Sequence, residues 1–276
     1  MPLREAWLIL KENKLALIGI SVMLLVVITA IFAPVIATMD PMGLHISDRL
    51  SPPGETYLFG TDDLGRDIFS RVIWGARVSL MVSFFVVLGA GSTGVAIGLL
   101  AGYWERIFGF IMMRSMDGLM AFPSLLLALS IMAVRGPTMP NMIMAIAVVY
   151  IPTFARLTRN QVMAIKEREY VEASRASGGG SIYIMWRHIL PNCLGPLIVQ
   201  ATVVFGYAIL TEAALSFLGF GVAGQPSWGG ILSEGRRFLY DAPWIAVFPG
   251  LAISLFVLGV NLTGDGLRDV FDPLMK

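Results

Sequence analysis

The sequence predicts an all-α polytopic membrane protein with six transmembrane helices. Three observations carry that reading. Of 276 residues, 56% are hydrophobic and 14% charged, with a mean hydropathy of +0.75. An ordinary soluble domain carries about 25% charged residues, so the polar coat is too thin for water on all sides. Six stretches contain no Asp, Glu, Lys or Arg: 15–39, 78–104, 118–134, 136–155, 188–211 and 242–264. A helix needs about 17–25 mainly apolar residues to cross a bilayer, and all six windows qualify, the third only just. Finally, 29 glycines and 16 methionines suit lipid-embedded helices, where small residues permit close approach.

Taken in order, the first window is too long for the apolar region of a cleaved signal, about 7–15 residues, and no clear A-x-A site follows. Leu15 to about Thr38 therefore reads as a retained anchor after an N-terminal segment, residues 1–14. Residues 40–77 are expected to form an irregular external loop carrying Ser51-Pro52-Pro53-Gly54, then an amphipathic lead-in helix near Asp67–Arg77 ahead of the second span. Arg135-Gly136-Pro137 separates windows three and four, so these predict a helical hairpin. The longest internal loop, about 157–191, should hold a short helix ended by Gly178-Gly179-Gly180 and a second one stopping near Pro191. The fifth window opens after Pro191 and runs past Glu212 towards Gly219–Trp228, and Pro249-Gly250 is a candidate bend in the sixth. Trp228 to Tyr240 has the aromatics and charges of an outer-interface anchor. Residues 15–276 thus form one transmembrane domain without an internal repeat or appended soluble module.

Lys and Arg placement sets the expected orientation. With the N-terminus inside, 13 of the 20 fall on internal segments and seven on external ones, which places both termini in the cytoplasm. Basic and acidic residues nearly cancel, 20 against 19, so no global field points to nucleic acid. One cysteine excludes an intrachain disulfide framework, and two histidines leave little for a histidine-rich metal site. Cys193 reads as a small helix-entry residue.

Gly89-Ala90-Gly91-Ser92-Thr93-Gly94 satisfies G-x-G-x-x-G literally. A dinucleotide site needs that run after a strand and at a helix N-terminus, where free N–H groups meet the pyrophosphate. Here it lies inside an uncharged window, and Ala90, Gly94, Gly98 and Gly102 recur every four residues as one small-residue packing face. No Gly-Lys dipeptide, H-E-x-x-H or G-x-S-x-G occurs, so any energy source must be external, and no cofactor or metal is expected on this chain.

Ionisable groups at membrane depth are costly and commonly face a partner or a cavity. Asp117 lies three residues after Arg114, which predicts a local ion pair in preference to a substrate contact. Glu212 has no charged residue within four positions, so it is the better candidate for lining a pathway or bonding a neighbouring helix, the latter being favoured.

The internal loop carries the functional signal. Small residues Ala173, Ala176, Ser177 and Gly178 let a partner approach the backbone, while Glu172 and Arg175 could orient it. The run Glu172-Ala173-Ser174-Arg175-Ala176-Ser177-Gly178, nine further residues and then His188-Ile189-Leu190-Pro191 resembles the E-A-A loop of ABC importer permeases. Phe59 to Asp67, Ser70-Arg71, Gly75-x-Arg77-x-Ser79-Leu80, Ala121-Phe122-Pro123, Ala213-x-x-Ser216-Phe217-Leu218-Gly219, Pro226 to Gly229 and Asn261 to Pro273 narrow the resemblance to the C-type subunit of the dipeptide/oligopeptide/nickel class. That resemblance implies a type I ABC importer permease fold in a bacterial inner membrane. It also implies a heterodimer with a B-type permease, two cytoplasmic ATPases carrying ATP and Mg, and an external solute-binding protein. Glu172–Gly178 would dock to the ATPase. Dipeptides or oligopeptides are the expected cargo, with nickel chelates or glutathione as alternatives. A secondary carrier independent of any ATPase would show internal repeats, and a channel a polar pore lining; neither is visible.

Overall fold

Asn13 opens the first span, its side-chain oxygen accepting the Ala16 N–H at 3.1 Å. The computed structural model describes residues 13–222 and 224–271. Most of the N-terminal segment 1–14, and the terminal Asp272-Pro273, lie outside the described residues. Helix α1 (Lys14–Ile31) is followed by the single turn α2 (Ala33–Ile36). Ala16, Gly19 and Ala30 face the bundle, whereas Leu24, Leu25, Ile28 and Ile31 are exposed, the pattern of an outer helix turned towards lipid.

The second span is longer than expected. Helix α3 (Ile68–Tyr103) runs unbroken for 36 residues, so the expected lead-in helix near Asp67–Arg77 is not a separate element. At 1.5 Å per residue α3 is about 54 Å long, well beyond a hydrocarbon layer of about 30 Å. Its first turns stand clear of that layer, and the change in composition that suggested two helices marks only the level where one helix leaves the bilayer. Asp67 caps it, its Oδ2 accepting the Ser70 N–H at 2.9 Å.

The third window is bent. It does not form one straight crossing: helix α4 (Phe110–Met120) ends at a break, and helix α5 (Ser124–Arg135) continues at 89° to the preceding run. Pro123 has no N–H, cannot continue a helix and disfavours helical geometry at Phe122; its own ψ of 127° is extended. The described residues therefore hold five helices able to cross a membrane, or six crossings if the bent pair counts as one. Gly136, at φ 85°, turns the chain into helix α6 (Met139–Ile165), which packs against α5 as the other arm of the hairpin.

After helix α7 (Glu169–Ala176), the turn α8 (Ser181–Ile184) does not stop at Pro191. It widens into a π-turn over Met185–Ile189 and runs directly into helix α9 (Leu190–Leu215). Pro191, which lacks an N–H, follows directly on that π-turn, where the regular hydrogen-bond ladder is already interrupted. Another π-turn, Ser216–Phe220, closes α9. Helix α10 (Trp228–Gly235) and helix α11 (Trp244–Phe271) complete the described chain, with Pro249 buried inside α11.

Trp228 corrects the interfacial-anchor reading of its segment. It is buried to 2% exposure against Phe256 and donates Nε1–H to the Val72 carbonyl at 2.9 Å, wedging α10 between α3 and α11. Tyr240, in contrast, is fully exposed. Apolar cores lie along the bundle: one around Ile68, Trp228 and Phe256, a middle one around Val82, Met132 and Met142, and one around Phe154, Val162 and Ile189. The seam of α3 against α6 joins the last two.

Candidate functional site

Three places on this frame bring the singled-out residues together. The first is the elbow around α7. Its cap is a Schellman motif: Gly179 N–H donates to the Ser174 carbonyl at 2.9 Å and Gly178 N–H to the Arg175 carbonyl at 3.0 Å. Gly178 sits at φ 86°, a conformation that side chains resist, so the motif needs glycine there. Glu172, Ala173, Arg175, Ala176, Ser177 and Gly178 are all exposed, and Ser174 is half-buried. Val171 alone of α7 is fully buried, set into the core that holds Val162, Ile184, Ile189 and Cys193. One apolar knob thus ties a small-residue, solvent-facing helix to α6 and α9. A further tie lies beside it, where Lys166 at the end of α6 pairs with Glu105 just beyond α3.

The second is the small-residue seam. Ala90, Gly94, Gly98 and Gly102 are buried on α3. A Cβ on Gly94 would meet the Ile151 carbonyl at 2.6 Å, and one on Gly102 would meet Val162 Cβ at 2.7 Å. The literal G-x-G-x-x-G therefore spans a helix interior at a helix–helix contact, with no strand before it. Of the two intramembrane acids, Asp117 takes Arg156 as its nearer partner at 2.6 Å, while the expected Arg114 stands at 3.7 Å. Glu212 is buried and bonded: Ser79 Oγ donates to Oε2 at 2.9 Å and Ser216 Oγ to Oε1 at 2.8 Å. It ties α9 to α3.

The third was missed in sequence as a unit. At the opposite end of α3 from the elbow, Asp62 is fully buried and accepts Arg66 Nε at 2.6 Å, Arg66 N–H and Leu64 N–H at 2.9 Å each, and Arg71 Nη1. Glu234 on α10 closes the ring, accepting Arg66 Nη2 at 2.8 Å and Arg71 Nη1 at 2.6 Å. Four charges thus lock the 40–67 loop, the head of α3 and α10 into one body. A polar cavity of about 280 Å³ lies beside them, walled by Ser216, Ser227 and Gln225.

Within the same loop, Tyr57 Oη donates to Asp48 Oδ2 at 2.9 Å. That bond to the carboxylate, with some burial, holds the phenol pKa above its ordinary value. A raised pKa stabilises the fold while the phenol is protonated in both states, and the gain is lost as pH rises through the folded value. Tyr57→Phe should lower the melting temperature near neutral pH, and the gap to wild type should close at strongly alkaline pH.

These features define a class: a multi-pass helical membrane protein with an exposed small-residue elbow and a braced opposite end. Comparison then places it. The family described as binding-protein-dependent transport system inner membrane component matches residues 94–276, and the N-terminal TM domain of oligopeptide transport permease C matches residues 1–53. The dipeptide transport system permease protein DppC of Alkalihalophilus pseudofirmus is 48% identical over 276 residues, covering 100% of this chain and 91% of that protein. The di/tripeptide transport system permease protein DppC of Pseudomonas aeruginosa is 46% identical over 282 residues, covering 100% and 93%. DppC of Escherichia coli is 45% identical over 282 residues, covering 100% and 94%.

The chain belongs to the binding-protein-dependent transport family and is a multi-pass inner-membrane permease subunit of an ABC importer. It has the C-type character anticipated from its motifs.

Proposed function

We propose that this subunit forms half of an ATP-driven import path for dipeptides. The names of the relatives, two of them dipeptide permeases and one a di/tripeptide permease, support that cargo. A B-type permease supplies the other half, and an external solute-binding protein delivers the peptide. Two cytoplasmic ATPases bind ATP and Mg and do the hydrolysis; this chain makes no covalent bond. Both termini and the α7 elbow face the cytoplasm, in keeping with the Lys and Arg distribution.

The observation that carries the reading is α7 itself. Its outward face is small and exposed, and its single buried residue, Val171, reaches the core shared by α6 and α9. Docking at Glu172–Gly178 would move that core as a body and so bias the path between outward-open and inward-open states.

Ala173→Cys should cross-link to an ATPase subunit in intact cells. Ala176→Trp should abolish uptake while membrane insertion and melting temperature stay as in wild type. Gly178→Asn, whose side chain tolerates the left-handed region, separates docking from backbone strain and should retain most uptake. Normal uptake by Ala176→Trp with the ATPase engaged, or failure of Ala173→Cys to capture any ATP-hydrolysing subunit, overturns the docking role.

A further inference from the structure

At the elbow end of the bundle, a pocket of about 300 Å³ opens between α4 and the last turns of α6, ringed by Glu105, Arg114, Asp117 and Arg159. Both of its carboxylates are already engaged. Lys166 holds Glu105 and itself lies 3.9 Å from Glu167, while Arg156 holds Asp117 at 2.6 Å. Two lining cations are left over. Arg114 stands 3.7 Å from Asp117, its guanidinium stacked 5.3 Å from the Phe110 ring centre and largely exposed. The Arg159 side chain has no hydrogen bond or ion pair among the described residues, and its Nε is buried without a partner.

Arg106, on the turn beside the pocket, likewise has no carboxylate partner among the described residues. Arg106, Arg114, Arg156, Arg159 and Lys166 therefore outnumber Glu105, Asp117 and Glu167 by five to three. A guanidinium kept partly from water with no counter-charge is costly, and a doubly accepting anion relieves it best.

The surroundings decide which anion. Tyr103 and Trp104, packed edge to face, mark the end of α3. Phe110 in the pocket wall is exposed, Trp104 and Phe108 line the adjoining cavity that shares Glu105, and Ile107 and Ile111 on the same run are exposed too, which leaves an apolar rim beside the pocket. Such a rim belongs at headgroup depth, where acyl chains can cover it. We propose that this pocket binds the phosphate of an anionic phospholipid headgroup, with Arg159 and Arg114 as its donors and the rim taking the lipid tails. Basic pockets between membrane helices recognise lipid phosphates in this way. The proposal rests on immersion in a bilayer and not on the identity of the cargo.

The test uses the assembled transporter in vesicles of phosphatidylcholine with a minor fraction of phosphatidylglycerol. After mild extraction, retained phosphatidylglycerol is counted by native mass spectrometry. Wild type should keep one more phosphatidylglycerol than Arg159→Gln, and apparent affinity should fall about tenfold for the loss of one charged hydrogen-bonding donor. Arg159→Lys should recover part of the retention and confirms that the site, not the fold, was changed. Arg236→Gln, at the opposite end of the bundle, should match wild type. Equal retention in all four proteins overturns the proposal. So does displacement of the lipid by millimolar inorganic phosphate, which would make this a free-anion site. Loss of peptide uptake in Arg159→Gln with lipid retention unchanged would assign Arg159 to the transport path instead.

Discussion

Gly98→Leu should prevent stable assembly of the bundle. A Cβ at residue 98 would collide with the Ala155 carbonyl and come within 2.6 Å of Thr158 Cβ and 3.0 Å of the Arg159 backbone nitrogen. Two of those three atoms are backbone, so no rotamer change makes room. Helices α3 and α6 would have to separate along the seam that joins two of the apolar cores. Overpacking a well-filled core costs about 1–3 kcal/mol, and a clash with backbone belongs at or above the top of that range. Gly118→Leu is the matched control, because nothing lies within 4 Å of a Cβ placed there. Detergent-extracted yield and thermal melting of the two variants compare them directly. A Gly98→Leu protein that melts with wild type would show that the helices do not need their close approach.

The second large effect is expected at Asp62→Ala. The carboxylate is fully buried between two arginines that are themselves nearly buried, and Glu234 alone cannot balance both. Removing one member of a buried ion network typically costs about 3–5 kcal/mol, because the cations left behind have lost their counter-charge. The 40–67 loop should come away from α10 in consequence. Melting of the variant, together with protease cutting within residues 40–60, reports this. Asp62→Ala combined with Arg71→Leu should be milder than Asp62→Ala alone, since it removes the orphaned charge along with its partner. If the double variant is worse, the cluster is not acting as a charge network.

The spans were legible because charge in a membrane protein is confined by cost: every long charge-free window contains helix in the structure. The four-residue recurrence of Ala90, Gly94, Gly98 and Gly102 was legible for the same kind of reason, since helical geometry puts such positions on one face. The glycine-ended elbow could also be read, because Gly178 answers a local backbone requirement.

What escaped depends on partners distant in sequence. Glu234 meets Arg66 across 168 positions, and no local spacing announces it. Arg66, Arg71 and Asp67 therefore resembled a solvated amphipathic segment when they are in fact buried. The aromatics and charges of Trp228–Tyr240 read as an interfacial anchor, but the Trp228 ring fills a gap beside Val72 and Phe256. The break at Pro123 was hidden by composition, since an apolar window reads alike whether straight or folded back. The signal available was the proline itself, within a window already close to the minimum length.

The π-turn Met185–Ile189 carries one more residue than an α-helix would use for the same rise. A surplus residue taken up in one wide turn does not propagate, so the helix on either side keeps its face. The direction in which the elbow points is thus insulated from the extra amino acid. Excising any one residue from that stretch should let the turn close as plain α-helix with the handle still aimed as before, whereas the same excision a few turns further along α9 would swing it by about 100°, the angle a single helical residue subtends.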